Sequence, residues 1–156
     1  MREEIFLDTN PLLVFLTKSD IRYKKIGDIL ANNKLSLYTN FLVLNELRYK
    51  LLWLEAAEIL KSTKKYEIIE FIKKDKKINY EINKKYMEFY LNIRSRIKIL
   101  NFNDEIEIKS CEIASKYGLL PTDAMIIATM KINNIKNILT DDKDFRKVEG
   151  INVIQI

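Results

Sequence analysis

Short apolar runs alternate along the chain with longer segments in which apolar residues recur every three or four positions. The short runs predict buried strands, and the longer segments predict amphipathic helices. The predicted strands are 5–8, 35–39, 98–102, 135–140 and 152–156. The predicted helices start at 11, span 21–33 and 41–61, occur twice within 64–97 with a break near 76–77, span about 104–118 and start again near 121.

Polar residues and prolines mark several helix ends. Asn10-Pro11 fits a helix start, with Asn10 as the N-cap and Pro11 as the first helical residue. Ser19 or Asp20 is expected to cap the second helix. The glycine at 118 is typical of the position that follows a helix.

Two helical stripes predict packing faces. The helix at 41–61 presents one leucine stripe, formed by Leu44, Leu47, Leu51 and Leu54. The second helix within 64–97 presents a stripe with three aromatic residues, formed by Tyr86, Phe89, Tyr90 and Ile93. Two interpretations stay open for that stripe, because aromatics among lysines either fill a core or stack on nucleic-acid bases.

The order of elements predicts the fold class. Strands alternate with helices and no hairpin signal separates two strands, so an α/β fold with a parallel sheet is expected. No linker or internal repeat divides the chain, and we interpret 1–156 as one domain. Because parallel strands end at the same edge of a sheet, Asp8 and the Asp141-Asp142 pair are expected to emerge together.

Charge is distributed unevenly. Residues 61–99 hold twelve lysines and arginines against five acidic residues, a net charge of +7. The remaining residues hold fifteen against seventeen, a net charge of −2. A basic helical segment beside acidic motifs suits a metal-dependent enzyme that acts on a polyanion, although lysine-rich helices are also common as solvated faces.

Composition limits the chemistry. The chain has no histidine and one cysteine, Cys111, which its helical pattern predicts to be a buried small side chain. Carboxylates are therefore the main candidate metal ligands, and they favour Mg²⁺ or Mn²⁺ over zinc. No apolar stretch reaches the length of a membrane helix or of a signal peptide, so we expect a cytoplasmic protein without a membrane contact.

Acidic residues stand at four element boundaries. Asp8 follows the first strand, Glu46 borders an apolar helical stripe, and Asp123 opens a very apolar helix. Asp141, Asp142 and Asp144 follow the strand at 135–140. Each has an ordinary alternative explanation, as a strand end, a solvated helix position, a helix cap or a solvated turn. The placement of all four acidic motifs at element boundaries favours a shared site, in which a divalent cation would relieve the repulsion between carboxylates.

In this order, the motifs resemble those of the PIN-domain family of metal-dependent ribonucleases over essentially the whole chain. The matching segments are Leu7-Asp8-Thr9-Asn10, Asn45-Glu46-Leu47, Pro121-Thr122-Asp123-Ala124 and 139–145, Leu-Thr-Asp-Asp-Lys-Asp-Phe. The resemblance implies a three-layer α/β/α sandwich with a central, mostly parallel sheet and an acidic metal pocket.

The resemblance also implies a role for individual residues. Carried over position by position, the catalytic metal ligands are Asp8, Glu46, Asp123 and Asp142. Asp144 remains a possible additional ligand, and the polar supports are Thr9, Thr140 and Asp141.

The expected activity is Mg²⁺- or Mn²⁺-dependent endonucleolytic hydrolysis of RNA. Small members of this kind are VapC-type toxins held inactive by an antitoxin protein, so a small antitoxin partner and a homodimer are also expected. Two alternatives belong to classes of protein other than a nuclease. One is a non-catalytic RNA- or protein-binding module on the same fold, and the other is a receiver-type phosphoacceptor domain, which the Thr9 that follows Asp8 disfavours.

Overall fold

The computed structural model describes residues 2–156. Within these residues, the strands are β1 (Glu3–Leu7), β2 (Leu35–Asn40), β3 (Ile97–Leu100), β4 (Asn137–Leu139) and β5 (Asn152–Ile154). The α-helices are α1 (Thr9–Thr17), α2 (Arg22–Ala31), α3 (Phe41–Leu60), α4 (Lys65–Lys74), α5 (Lys76–Ile93), α6 (Asp104–Tyr117) and α7 (Pro121–Ile132). A short 3₁₀-helix spans Lys143–Lys147.

The sheet has the order β3-β2-β1-β4-β5, and all of its neighbouring strands pair in parallel. The chain moves outward from β1 to β3 through α1 to α5, and returns across the sheet to β4 through α6 and α7. Right-handed crossovers place these two helix groups on opposite faces. The three-layer α/β/α arrangement predicted from the sequence is therefore confirmed.

The core lies where the central strands meet both helical layers. The side chains of Phe6 and Leu7 on β1 are fully buried, as are those of Ile126 and Ile127 on α7. Burying one such side chain contributes roughly 1.5–3 kcal/mol, so the apolar runs that predicted these elements also stabilise them. The short apolar β1 thereby holds Asp8, the residue that follows it, in a fixed position.

The direction of α7 brings its first turn to the edge of the sheet where β1 and β4 end. The helix ends at Ile132, and β4 begins only five positions later, at Asn137. So short a connection requires the end of α7 to lie near the start of β4, and α7 therefore runs antiparallel to the strands. Its amino end, which carries Asp123, lies at the edge where β1 and β4 end.

The start of α1 differs from the prediction. The N-cap is Asp8, whose carboxylate accepts a hydrogen bond from the backbone N–H of Thr9, so the helix begins at Thr9 rather than at Pro11. Asn10 lies within the first turn, and its Oδ1 accepts a hydrogen bond from Lys50 Nζ at 3.2 Å. The prediction of Asn10 as the cap was wrong because a carboxylate two residues earlier takes that role.

Other helix ends agree with the sequence more closely. Asp20 Oδ1 accepts a hydrogen bond from the backbone N–H of Arg22 at 2.8 Å, although the N-cap position of α2 is the next residue, Ile21, which makes no side-chain capping bond. Gly118 follows α6 with φ 63°, in the left-handed region that glycine adopts at low cost. The break between α4 and α5 falls at Asp75, whose Oδ1 accepts from the N–H groups of Lys77 and Ile78.

Two burial predictions were wrong. The leucine stripe of α3 is buried through Leu51, but Leu54 is 48% exposed while Ala56 is fully buried, so the inward face of the last turns does not follow the stripe. Cys111 is also exposed, on the outer side of α6, whose buried positions are Ile106, Ser110 and Ile113. The helical period alone did not reveal which face of α6 lies inward.

The basic segment forms α4 and α5, which both pack against α3. Several of its lysines pair with acids one turn away, as Lys64 does with Glu67 and Lys77 with Glu81. Lys84 and Lys85 are exposed, and among residues 2–156 neither has an acidic partner within ion-pair distance. No helix within residues 2–156 has the length and apolar character that crossing a membrane requires.

Candidate active site

Asp8 lies at the carboxyl end of β1 and is only 8% exposed. Its backbone N–H donates to the carbonyl of Leu139 at 3.2 Å, which ties it to the end of β4. Its Oδ1 accepts from the Thr9 N–H at 2.7 Å, and its Oδ2 accepts from Thr140 Oγ1 at 2.6 Å. Burial raises the pKa of Asp8, while these two hydrogen bonds and Lys50 oppose the rise.

Thr140 connects the ends of two neighbouring strands. Its hydroxyl donates to Asp8 and accepts a hydrogen bond from the backbone N–H of Asp142 at 3.0 Å. Because Thr140 is fully buried, this one side chain fixes both the rotamer of Asp8 and the path of the following loop. The predicted role of Thr140 as a polar support agrees with this geometry.

Glu46 lies on the second turn of α3, partly exposed beside the leucine stripe. Its Oε2 accepts from Thr9 Oγ1 at 2.8 Å, and its Oε1 is 2.9 Å from Lys50 Nζ. These contacts aim the carboxylate toward α1, on the side where Asp8 begins that helix. Lys50 was not among the predicted site residues, although its spacing of four residues from Glu46 is the usual signal for a helical ion pair.

Asp123 lies in the first turn of α7 and is partly buried. Burial is the largest cause that raises its pKa, followed by the negative charges of Asp142, Asp8, Glu46 and Asp144 in that order, and together they bring it to about 6. Such mutual repulsion requires the five carboxylates to share one region of the molecule. Within residues 2–156, no hydrogen bond stabilises the ionised form of Asp123.

The three aspartates after β4 have different surroundings. Asp141 Oδ2 accepts from Arg22 Nη1 at 2.8 Å, and that arginine also pairs with Asp20. Asp142 caps the 3₁₀-helix by accepting from the Asp144 N–H. Asp144 is exposed and lies 3.2 Å from Lys147 Nζ.

These contacts rank the three aspartates as members of the acidic cluster. Asp141 is turned toward α2, where Arg22 neutralises it. Asp142 affects the pKa of Asp123 more strongly than Asp144 does. The order of these effects therefore favours Asp142 over Asp144 as a member of the cluster, and the ion pair with Arg22 turns Asp141 away from it.

A cleft of about 430 Å³ opens beside these side chains, between the start of α3 and the start of α7. Its lining combines the two acids Glu46 and Asp123 with Asn45, Thr122, Tyr49, Leu42 and Leu120. Tyr49 and Leu120 were not among the predicted site residues, because exposed aromatic and aliphatic side chains give no distinctive sequence pattern. Tyr49 and Leu120 are exposed and form an apolar rim beside Glu46 and Asp123.

The donor set fits a hard divalent cation. Every candidate ligand is a carboxylate, and oxygen ligands are what Mg²⁺ and Mn²⁺ prefer. Among residues 2–156, however, no three of these acids converge closely enough to define a metal-binding group as they stand. The carboxylates that repel one another around Asp123 are those that a cation would draw together.

Comparisons with known proteins agree with this geometry. The family profile of the PIN domain matches residues 5–151. Two relatives from Methanocaldococcus jannaschii are named ribonucleases: VapC6 is 31% identical over 164 residues, covering 97% of this chain and 96% of its own, and VapC2 is 29% identical over 153 residues, covering 98% and 94%. A toxin–antitoxin complex from Klebsiella pneumoniae contains a chain that superposes with a TM-score of 0.59 at 17% identity, covering 95% of both chains.

Proposed function

Because this chain belongs to the PIN domain family, we propose that it is a divalent-metal-dependent endoribonuclease whose acidic cluster is the active site. The observation that carries the proposal is the placement of Glu46 and Asp123 in one cleft, where burial and the charges of Asp142, Asp8 and Glu46 together raise the pKa of Asp123 to about 6. The ribonuclease names of the two relatives support RNA as the substrate.

The proposed metal ligands are Asp8, Glu46, Asp123 and Asp142. A bound Mg²⁺ or Mn²⁺ would neutralise these carboxylates, lower the pKa of an attacking water and stabilise the leaving oxygen of a phosphodiester. Thr140 and Thr9 hold Asp8 and Glu46 in place through their hydroxyls. We place Asp144 as an outer support at most, because its carboxylate is exposed and pairs with Lys147.

Lys50 supplies a positive charge to this arrangement. Its ammonium lies 2.9 Å from Glu46 Oε1 and opposes the rise in the pKa of Asp8 that burial causes. The chain contains no histidine, so no imidazole takes part in proton transfer.

The toxin assignment, the partner and the oligomer belong to the same proposal. The VapC names of the relatives and the fold shared with a toxin–antitoxin complex support a toxin that a small antitoxin protein inhibits. We further propose one domain over 1–156, since one hydrophobic core joins β1, α3 and α7, and a cytoplasmic homodimer. A molecular mass from sedimentation equilibrium of about twice 18.5 kDa would support the dimer, and a mass of 18.5 kDa would contradict it.

The decisive experiment compares wild type with Asp8→Asn for cleavage of single-stranded RNA in Mn²⁺ and in EDTA. We expect cleavage by the wild type only with Mn²⁺, and a loss of roughly 100-fold or more in the variant, because ligand loss abolishes the metal site. Asp28→Asn is the matched control, since Asp28 is exposed on α2, away from the cluster. Equal cleavage by wild type and Asp8→Asn would refute the proposal, and RNA binding without any cleavage would favour the non-catalytic module.

A further inference from the structure

Helix α3 carries an exposed ridge directly beside the acidic cleft. Phe41, Asn45 and Tyr49 follow one another at intervals of four residues and therefore line up along one side of the helix. Phe41 is 48% exposed and Tyr49 is 45% exposed, which is unusual for aromatic side chains. Tyr49 and Asn45 face the acidic cleft, and Phe41 and Asn45 face a second groove on the other side of the ridge.

This second groove has a volume of about 340 Å³ and is built mainly from aromatic rings and one guanidinium. The rings of Tyr86 and Tyr90 on α5 stack with centroids 6.4 Å apart and planes 25° apart. Arg48 lies 5.8 Å from the centroid of the Tyr86 ring. The sequence left open whether this aromatic stripe is core or a stacking surface. Phe89 and Ile93 are buried in the core, whereas Tyr86 and Tyr90 pack against it while lining the groove.

Flat rings and a guanidinium plane are the groups on which proteins stack unpaired nucleobases. The amide of Asn45, at the border of the two grooves, offers both a donor and an acceptor to a base edge. Because the grooves adjoin at this side chain, a strand whose phosphate lies at the acidic cluster can place the next base in the aromatic groove.

We propose that this groove binds the base next to the cleaved phosphate of a single-stranded RNA, with Tyr86 and Arg48 as the residues that position it. The location of the phosphate rests on the function proposed above, whereas the stacking site does not. A base within a duplex is already stacked and cannot enter the groove, so the inference restricts the substrate to unpaired RNA.

Charge favours RNA over an apolar protein segment as the occupant. The groove is lined by the cation Arg48 and by no acidic side chain. Arg48 also lies over the Tyr86 ring, so the charge and the aromatic surface stand at the same place. A polyanion with flat bases matches this combination of a cation and rings.

The test compares two labelled strands by fluorescence anisotropy in EDTA, where nothing is cleaved. One strand is hexauridylate and the other is a ribose-phosphate strand of the same length without bases. Because both carry the same phosphates, repulsion from the acidic cluster affects them equally. We expect the wild type to bind hexauridylate about 5- to 150-fold more tightly, the range that stacking of one base gives.

Variants of two tyrosines on the same helix make the test specific. Tyr86→Ala should bind both strands equally, whereas Tyr86→Phe, which keeps the ring, should retain the preference. Tyr80→Ala is the matched control, because Tyr80 is 69% exposed on α5 but outside the groove. Circular dichroism and urea unfolding establish that each variant is folded. Arg48→Ala, an exposed position, should weaken the preference without affecting the fold.

Three results would overturn the inference. The first is equal or undetectable binding of the two strands by the wild type, which would leave the groove to a protein partner. The second is a preference that survives in Tyr86→Ala, and the third is an equal loss in Tyr80→Ala. None of these results depends on cleavage. The binding assay can therefore refute the stacking site, and the cleavage assay can refute the nuclease assignment, independently of each other.

Discussion

Replacing Asp123 by asparagine should stabilise the metal-free protein at neutral pH while removing its metal binding. Asp123 lies in the first turn of α7, partly buried and surrounded by the charges of Asp142, Asp8 and Glu46. An asparagine has almost the same shape but no charge. The substitution therefore removes a repulsion that folding has to overcome.

The magnitude follows from the pKa of this side chain. A carboxyl whose pKa rises from 3.8 in the unfolded chain to about 6 in the folded protein costs about 3 kcal/mol once it is ionised in both states. Because Asp123 is only partly buried, solvent screening reduces the expected gain on substitution to about 1–2 kcal/mol. The folded state holds the extra proton, so this cost grows as the pH rises from about 4 to about 6 and is complete above that range.

The assay is urea unfolding of wild type and Asp123→Asn in EDTA, at about pH 7.5 and about pH 4.5. The variant should be more stable at the higher pH, and the difference should shrink at the lower pH, where the wild-type carboxyl is protonated. Addition of Mn²⁺ should reverse the order, because only the wild type gains stability from binding the ion. Asp28→Asn, on an exposed part of α2, should change none of these values by more than about 0.5 kcal/mol.

A variant that is less stable than wild type in EDTA at neutral pH would refute this reasoning. So would a gain that is the same at both pH values, because only a titrating carboxyl produces the predicted dependence. Either result would mean that the Asp123 carboxylate is stabilised by contacts other than those described above, and that the acids do not repel one another strongly.

The remaining predictions concern the groups around the cluster. Thr140→Val should cost about 1–3 kcal/mol of unfolding free energy in EDTA and lower Mn²⁺ affinity roughly 10- to 100-fold by calorimetry, because Asp8 loses its 2.6 Å hydrogen bond. Asp142→Asn should lower Mn²⁺ affinity by at least about tenfold and Asp144→Asn should change it little; the reverse order would make Asp144 the ligand. Arg22→Gln should reduce stability by up to about 1 kcal/mol and leave Mn²⁺ affinity unchanged, and a large loss of affinity would place Asp141 in the metal site.

Much of the architecture follows from local sequence signals. Strands such as β1 are short apolar runs that only burial satisfies, and helices such as α6 carry their own caps, Asn103 at the start and Gly118 at the end. Parallel strands end at one edge, so the placement of Asp8 beside the loop after β4 could be predicted without a structure. The order of the acidic motifs then indicated the family.

Other features depend on contacts between distant residues, which no local pattern reveals. Arg22 lies 119 positions from Asp141, and their ion pair is what turns this aspartate away from the cluster. The capping role of Asp8 displaces Asn10, which contacts Lys50 instead. Which face of α6 turns inward decides that Cys111 is exposed.

The sequence alone determined the residue types available for chemistry and the strand and helix periods, because each of these depends on neighbours along the chain. It also predicted the edge at which Asp8 and the loop after β4 meet, because parallel strands end together. Tertiary packing alone decided which carboxylates share one region, which of them a cation neutralises, and that α3 and α5 enclose an aromatic groove beside them. The reason is physical: the energy of a charge depends on its burial and on nearby charges, and both are set by the packing of elements far apart in sequence.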